Sequence, residues 1–181
     1  LGYTEWTLKN GIKVVVRPST LKADEVIIYA TAKGGKSMLS DADYFHGDYL
    51  AMVMQQSGIS KFSATELAKQ LSGKSAHASV NVSSYEHGVN AGGSPKDIET
   101  ILQLMYLNFT APRFDETDLQ NLKNMYVPYF RNMESDPNYL MGKAFQETLY
   151  QNHVRRQATS AAQIESLNLE TLASVHKQLF S

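Results

Sequence analysis

The sequence predicts an α+β domain, an antiparallel sheet with helices packed on one face, and three observations carry that expectation. Strand-like segments crowd the first half, helical periodicity fills the second, and no β-α-β alternation links them. The 181 residues are 43% hydrophobic and 19% charged, which suits one globular core rather than a disordered or fibrous chain. Residues 1–181 therefore read as a single domain, without repeat, linker or low-complexity tract.

Trp6-Thr7-Leu8 and Ile12 to Arg17 flank Asn10-Gly11, and Pro18 closes the second segment. Asn-Gly supplies the positive φ angles of a tight hairpin turn, so the pair reads as a β-hairpin. Val26 to Ala30, β-branched and bounded by Gly34-Gly35, reads as a third strand. From about Asp43 to Gln56, Tyr49, Leu50, Val53 and Met54 recur at helical spacing until Ser57-Gly58. Ser63-Ala64-Thr65-Glu66 has capping-box spacing and predicts a short helix to Leu71, stopping at Gly73. Ala76 to Val82 and Tyr85 to Ala91 alternate as two strands around Ser83-Ser84.

Ser94-Pro95-Lys96-Asp97 combines an N-cap, a proline at the first helical position and an acid in the first turn. Behind it Ile98, Ile101, Leu102, Met105, Tyr106 and Phe109 mark one face, and Ile98, Leu102, Met105 and Phe109 are expected in the core. Pro112 ends that helix. Asp115 opens another towards Glu134, with Pro128 a candidate bend, and Asp136-Pro137 opens a third through Phe145 and Leu149. After a loop from Gln151 to Thr159 comes a short helical piece. A final amphipathic helix follows, with Leu169, Leu172, Ala173, His176, Leu179 and Phe180 on its apolar face.

Seventeen Lys and Arg against eighteen Asp and Glu give a formal charge of −1, so the basic field of a nucleic-acid binder is missing. The one basic cluster, His153-Val154-Arg155-Arg156, reads as a solvated loop. The absence of cysteine excludes disulfides and thiol chemistry but selects no compartment. No apolar stretch approaches membrane-spanning length. The opening at Leu1, without a Met or a leader pattern, reads as a piece of a longer precursor.

Ala30 to Ser37 satisfies a relaxed phosphate-loop expression, with Lys36-Ser37 at its end. That chemistry needs inward-turned amides and a helix beginning at the Lys-Ser pair, whereas Ser40-Asp41 suggests a later start. A plain glycine turn is the expectation. Histidines 46, 77, 87, 153 and 176 include no pair three or four apart that could share a helical zinc site. His46-Gly47-Asp48-Tyr49-Leu50 comes nearest to H-x-x-E-H but lacks the Glu and the second His. Glu86-His87 reads as a surface pair, and His176 as a hydrogen-bonded boundary residue. Tyr126, Tyr129, Tyr139 and Tyr150 read as core-edge residues with wet hydroxyls. No G-x-S-x-G elbow supports a serine triad.

Taken in order, several segments resemble the insulinase/pitrilysin family of zinc metallopeptidases. They are Trp6-x-Leu8-x-Asn10-Gly11-x-Lys13-Val14, the Gly34-Gly35 turn, Ser57 to Leu67, Ser94 to Thr100, Leu104 to Glu116 and Leu149 to His153. The pieces are most similar to the second-half domains of large bacterial zinc proteases. The resemblance implies the half-domain fold shared with mitochondrial processing peptidase, in which two halves face each other around a chamber. One half carries H-x-x-E-H and a distal Glu. Here the corresponding stretches read His46 to Leu50, or Tyr49 to Met54 with a slipped register, and Asn121 to Tyr126. No catalytic or metal-binding residue transfers, and no substrate-binding residue is assigned.

The resemblance thus implies a domain inactive by itself, without a cofactor of its own, whose parent holds zinc in the catalytic half. The expected partners are that catalytic half, on the same or a companion chain, and a peptide substrate added along a sheet edge. It implies a periplasmic or cell-envelope setting. The alternatives are a catalytically silent scaffold of the same fold and a hydrolase with a dispersed metal site. Half-domains of this kind continue from their last helix into a further strand. The chain ends at Phe180-Ser181 after such a helix, so an incomplete sheet with an open edge is expected.

Overall fold

The computed structural model describes residues 2–180. Strands β1 (Thr4–Thr7) and β2 (Lys13–Val16) form an antiparallel hairpin, with Thr4 opposite Val16 and Thr7 opposite Lys13. It stands as a two-stranded sheet of its own. A second sheet holds β3 (Val26–Lys33), β4 (Ala76–Val82) and β5 (Glu86–Gly93) in the order β3-β5-β4, all antiparallel. β3 runs three residues beyond the predicted Ala30.

Strand alternation divides this sheet into two unlike faces. Ile28, Ala91 and Ala78 lie side by side, as do Ala30, Val89 and Val80, and these face inward. Helices α1 (Tyr44–Ser57) and α3 (Ile98–Thr110) pack there. The other face carries Ile27, Gly92 and His77, then Tyr29, Asn90 and Ser79, then Thr31, Gly88 and Asn81. Ile27 is 58% exposed and Tyr29 70%, so helices cover one face only. The α+β architecture is as the sequence predicts.

The remaining helices are α2 (Ala64–Gln70), α4 (Glu116–Met133), α5 (Pro137–Leu149), α6 (Ala161–Ser166) and α7 (Leu169–Phe180). α7 packs on α1 and α6 on α4, closing a core of Leu50, Val53, Leu119, Leu122, Ile164, Leu172 and Val175. α4 continues through Pro128 as one helix. The α2 capping box forms as predicted: Ser63 Oγ accepts from Glu66 N, and Glu66 accepts from Ser63 N at 2.9 Å. Ser160 and Gln163 form a second box that opens α6. Ser94 is an N-cap by backbone position only. Its side chain makes no capping bond, and Pro95–Asp97 is a 3-10 turn whose Asp97 instead accepts from Ser75 N at 2.9 Å.

Two helix faces differ from expectation. In α3 the buried residues are Ile101, Leu104 and Asn108, with Met105 partly buried; Ile98, Leu102 and Phe109 are exposed. In α7 Val175 is buried and Ala173 exposed. α3 carries apolar residues round most of its surface, so a small rotation exchanges one adequate stripe for another, whereas in α7 the buried face is only shifted by one residue.

Asp115 joins α4 to α1. Its carboxylate accepts from Thr117 N at 3.0 Å and Asp118 N at 3.4 Å, and pairs with Arg113 at 2.6 Å. Arg113 Nε also donates to Ser57 O at 2.8 Å, and Asp115 N to the fully buried Ser57 Oγ at 3.1 Å. Asp115→Ala is expected to lower stability by about 1–2 kcal/mol in urea titrations, with Asp115→Ser recovering most of it. A loss below about 0.5 kcal/mol would show the cap to be redundant.

Candidate functional site

The catalytic half that the resemblance describes would set its metal ligands on the helices corresponding to α1 and α4. Here those helices meet through an apolar core that includes Leu50, Val53, Leu119 and Leu122, with Tyr49 and Tyr126 packed against it. His46, four residues before Leu50, is therefore inside, only 7% exposed. Its Nε2 lies 3.3 Å from Asn168 Nδ2, and its Nδ1 has no partner among the described residues. Burial pushes this imidazole below its ordinary pKa, against an opposing pull from Asp43. Asp48 bonds Lys36 instead of facing the helix pair. Between Asn121 and Tyr126, Leu122 is fully buried and Asn124 accepts from Gln120 at 3.0 Å. Among the described residues no three His, Asp or Glu side chains group closely enough to hold a metal ion.

The phosphate-loop-like segment is a closed turn. Gly34 N donates to Tyr85 O, Gly35 N to His87 Nδ1, Lys36 N to Ser83 O, and Ser37 N to Gly34 O and Ser84 O. No amide of this turn is left for a phosphate. A phosphate nest requires those amides to converge, unpaired, on one concavity. Gly35 sits at φ 53°, and a Cβ there would run into the Ser83 carbonyl, so the glycine serves close packing against the β4–β5 turn.

Four further expectations are corrected. His87 is not a surface residue: alternation with Val89 and Ala91 puts it on the inner face of β5, 7% exposed. His176 is buried rather than at the boundary, with Nε2 2.9 Å from Asn108 O and its ring stacked on Phe180 at 5.0 Å. Tyr139 spends its hydroxyl on Thr159 O at 2.6 Å rather than on water. His153 to Arg156 also differs from a loose loop. Val154–Arg156 is a 3-10 turn, and Arg155 donates to Asp41 Oδ1 at 2.6 Å and to Leu39 O at 2.9 Å. Neither partner, more than 110 residues away, leaves a mark in the local sequence.

The described surface offers three features suited to binding. β3 pairs only with β5, so its outer edge is open among the described residues, beside the uncovered face bearing Ile27, Tyr29 and Asn90. An open edge presents unpaired N–H and C=O groups to any extended chain. The separate hairpin exposes Trp6, Ile12 and Val15, each at least half exposed. A second apolar surface lies on α4 and α5, where Met125, Tyr129, Met141 and Phe145 are between 56% and 70% exposed.

No protein-family model matches the chain, and no curated protein sequence matches it either. Solved structures do. The periplasmic protease PqqL from Escherichia coli superposes with a TM-score of 0.81 at 20% identity, covering 99% of this chain and 20% of that one. The ferredoxin protease FusC, in complex with Arabidopsis ferredoxin, gives 0.82 at 16% identity over 99% of this chain and 20% of its own. The peptidase M16 inactive domain from Pseudomonas fluorescens gives 0.72 at 17% identity, covering 97% of this chain and 43% of that one. The fold is that of an M16 peptidase half-domain. The chain spans about one fifth of PqqL and FusC and less than half of the Pseudomonas protein. At these identities the likeness concerns architecture, and it agrees with the fold that the sequence resemblance implies.

Proposed function

We propose that the chain is a non-catalytic half-domain of a zinc metallopeptidase, enclosing and contacting peptide substrate while a companion half performs the chemistry. The observation that carries this reading is the apolar joint between α1 and α4. Leucines pack where a catalytic half of this fold would place its metal ligands. Hydrolysis by such a centre needs a metal-bound water and a carboxylate base, and neither can be built on Leu50 and Leu122.

The open β3 edge and bare sheet face support a role as one wall of the chamber, because an extended peptide can add to such an edge by backbone hydrogen bonds. The exposed apolar rows on α4 and α5 suit burial against another part of the assembly.

The isolated chain, dialysed and assayed by elemental analysis, is expected to hold no stoichiometric zinc and to cleave no fluorogenic peptide. Mixed with a zinc-bearing half from the same source, it is expected to raise that half's peptidase activity. One zinc per chain, lost on substitution of its histidines, would overturn the reading, and so would a companion half whose activity ignores this chain.

A further inference from the structure

A cleft of about 410 Å³ lies where four segments meet: the turn after β3, the start of α1, the β4–β5 turn, and the loop after α5. Tyr44, Tyr85, Tyr150, His153, Arg155 and Arg156 line it, with Ser37 and Ser84 between them, and no carboxylate is in its wall. The polar side chains of this wall are hydroxyls, guanidiniums and one imidazole. All can donate hydrogen bonds, and the guanidiniums can only donate.

The loop that supplies the cations is tied in place. Arg155 holds it to Asp41 and to the Leu39 carbonyl, and stacks over the Tyr44 ring with its guanidinium carbon 5.0 Å from the centroid. His153 Nδ1 accepts from Arg155 N at 3.2 Å, which leaves Nε2–H as that ring's donor. Gln157 Nε2 donates to Asn152 Oδ1 at 3.1 Å, closing the loop on itself. Lys36, outside the cleft lining, bonds Asp48 and lies over the Tyr44 ring, 4.5 Å from the centroid.

Charge then selects the ligand. Lys36 is matched by Asp48 and Arg155 by Asp41, whereas Arg156 makes no ion pair among the described residues. It rests on the Tyr150 ring at 5.1 Å with its fork uncommitted. One surplus positive charge in a wall of donors fits a monoanion. A planar carboxylate matches a guanidinium fork through two parallel N–H···O bonds, and the flanking tyrosine rings offer apolar faces to the chain that bears it. A phosphate dianion would be left half compensated.

We propose that this cleft binds a carboxylate of a peptide, either an acidic side chain or a free C-terminus, with Arg156 as the principal contact. The inference rests on the peptide-contacting reading above and names a specificity element within it. Arg155 acts as a positioning residue for the loop.

The test uses a tetrapeptide carrying an uncharged BODIPY label at its N-terminus in three forms, followed by anisotropy at low salt. One form ends in Phe-Gln amide, one in Phe-Glu amide and one in Phe-Gln with a free C-terminus. Binding of at least one acidic form about tenfold or more tighter than the neutral one is expected, with Arg156→Gln removing that preference and Arg156→Lys keeping part of it. Whichever acidic form gains identifies the source of the carboxylate. Equal binding of all three forms, or a preference that survives Arg156→Gln, overturns the carboxylate site while leaving the peptide-contacting reading in place. Binding of none overturns both. Circular dichroism of each variant confirms that the fold is retained.

Discussion

Ile101→Ala is expected to lower the free energy of unfolding by about 2–5 kcal/mol, whereas Leu102→Ala, one position along, is expected to change it by less than about 1 kcal/mol. Ile101 is fully buried, but Leu102, about 100° further round α3, is 51% exposed. The buried stripe runs Ile101, Leu104, Met105 and Asn108, the i, i+3, i+4, i+7 pattern of a helix lying on a sheet. Truncating Ile101 removes methyl and methylene groups from a packed joint, and the cavity left behind adds to the lost transfer energy. Truncating Leu102 returns a side chain already half in water to a slightly smaller one. Urea titrations of both variants at constant m-value decide the matter. Equal losses would put the helix in the phase that the sequence alone suggests.

That sequence phase was reasonable and wrong for an instructive reason. Placing Ile98, Leu102 and Phe109 inside leaves Asn108 outside, as a polar residue would ordinarily be. In the fold Asn108 is buried with its polar groups partnered: Nδ2 donates to Leu104 O at 2.8 Å, one turn back, and its backbone carbonyl meets His176 Nε2 on α7. The contact with His176, 68 residues away, belongs to this buried arrangement, and periodicity cannot see it.

Features set by neighbours in the chain were legible. The Asn10-Gly11 hairpin, the Ser63-Glu66 box and the Asp136-Pro137 start all form, since each depends on residues within four positions. Ser160 and Gln163 show the same spacing, so the α6 box could have been read as well. His87 was also recoverable: period-two alternation with Val89 and Ala91 puts it inside once that face is chosen. The missing zinc-ligand spacing was readable because a helical metal site needs fixed separations. The carboxylate cleft was not, since Tyr44, Tyr85 and Arg156 come from three distant segments and only the fold brings them together.

The buried histidines give the second large expectation, a marked loss of stability as the solution is acidified from pH 7.5 to 5. His87 and His176 both pack on Phe180, with ring centroids 5.5 and 5.0 Å away, so the three rings fasten the end of α7 to β5. Burial lowers the pKa of both imidazoles, against weaker upward pulls from the Leu179 and Asn108 backbones, and it lowers that of His46 too. A base whose folded pKa lies below its unfolded value binds more protons when unfolded. Its stabilising contribution is therefore complete above about pH 6.5 and is lost as pH falls through the window between 6.5 and the lowered folded value. His87 adds a structural reason, because its Nδ1 accepts the Gly35 amide and cannot do so once protonated. The urea midpoint should fall steadily from pH 7.5 to 5, a range kept above ordinary carboxylate titration. His176→Gln, which removes one of the titrating rings, should flatten that slope even if it lowers the plateau. A midpoint that does not move over this range would mean that the imidazoles of His46, His87 and His176 bind protons alike in both states, and would overturn the expectation.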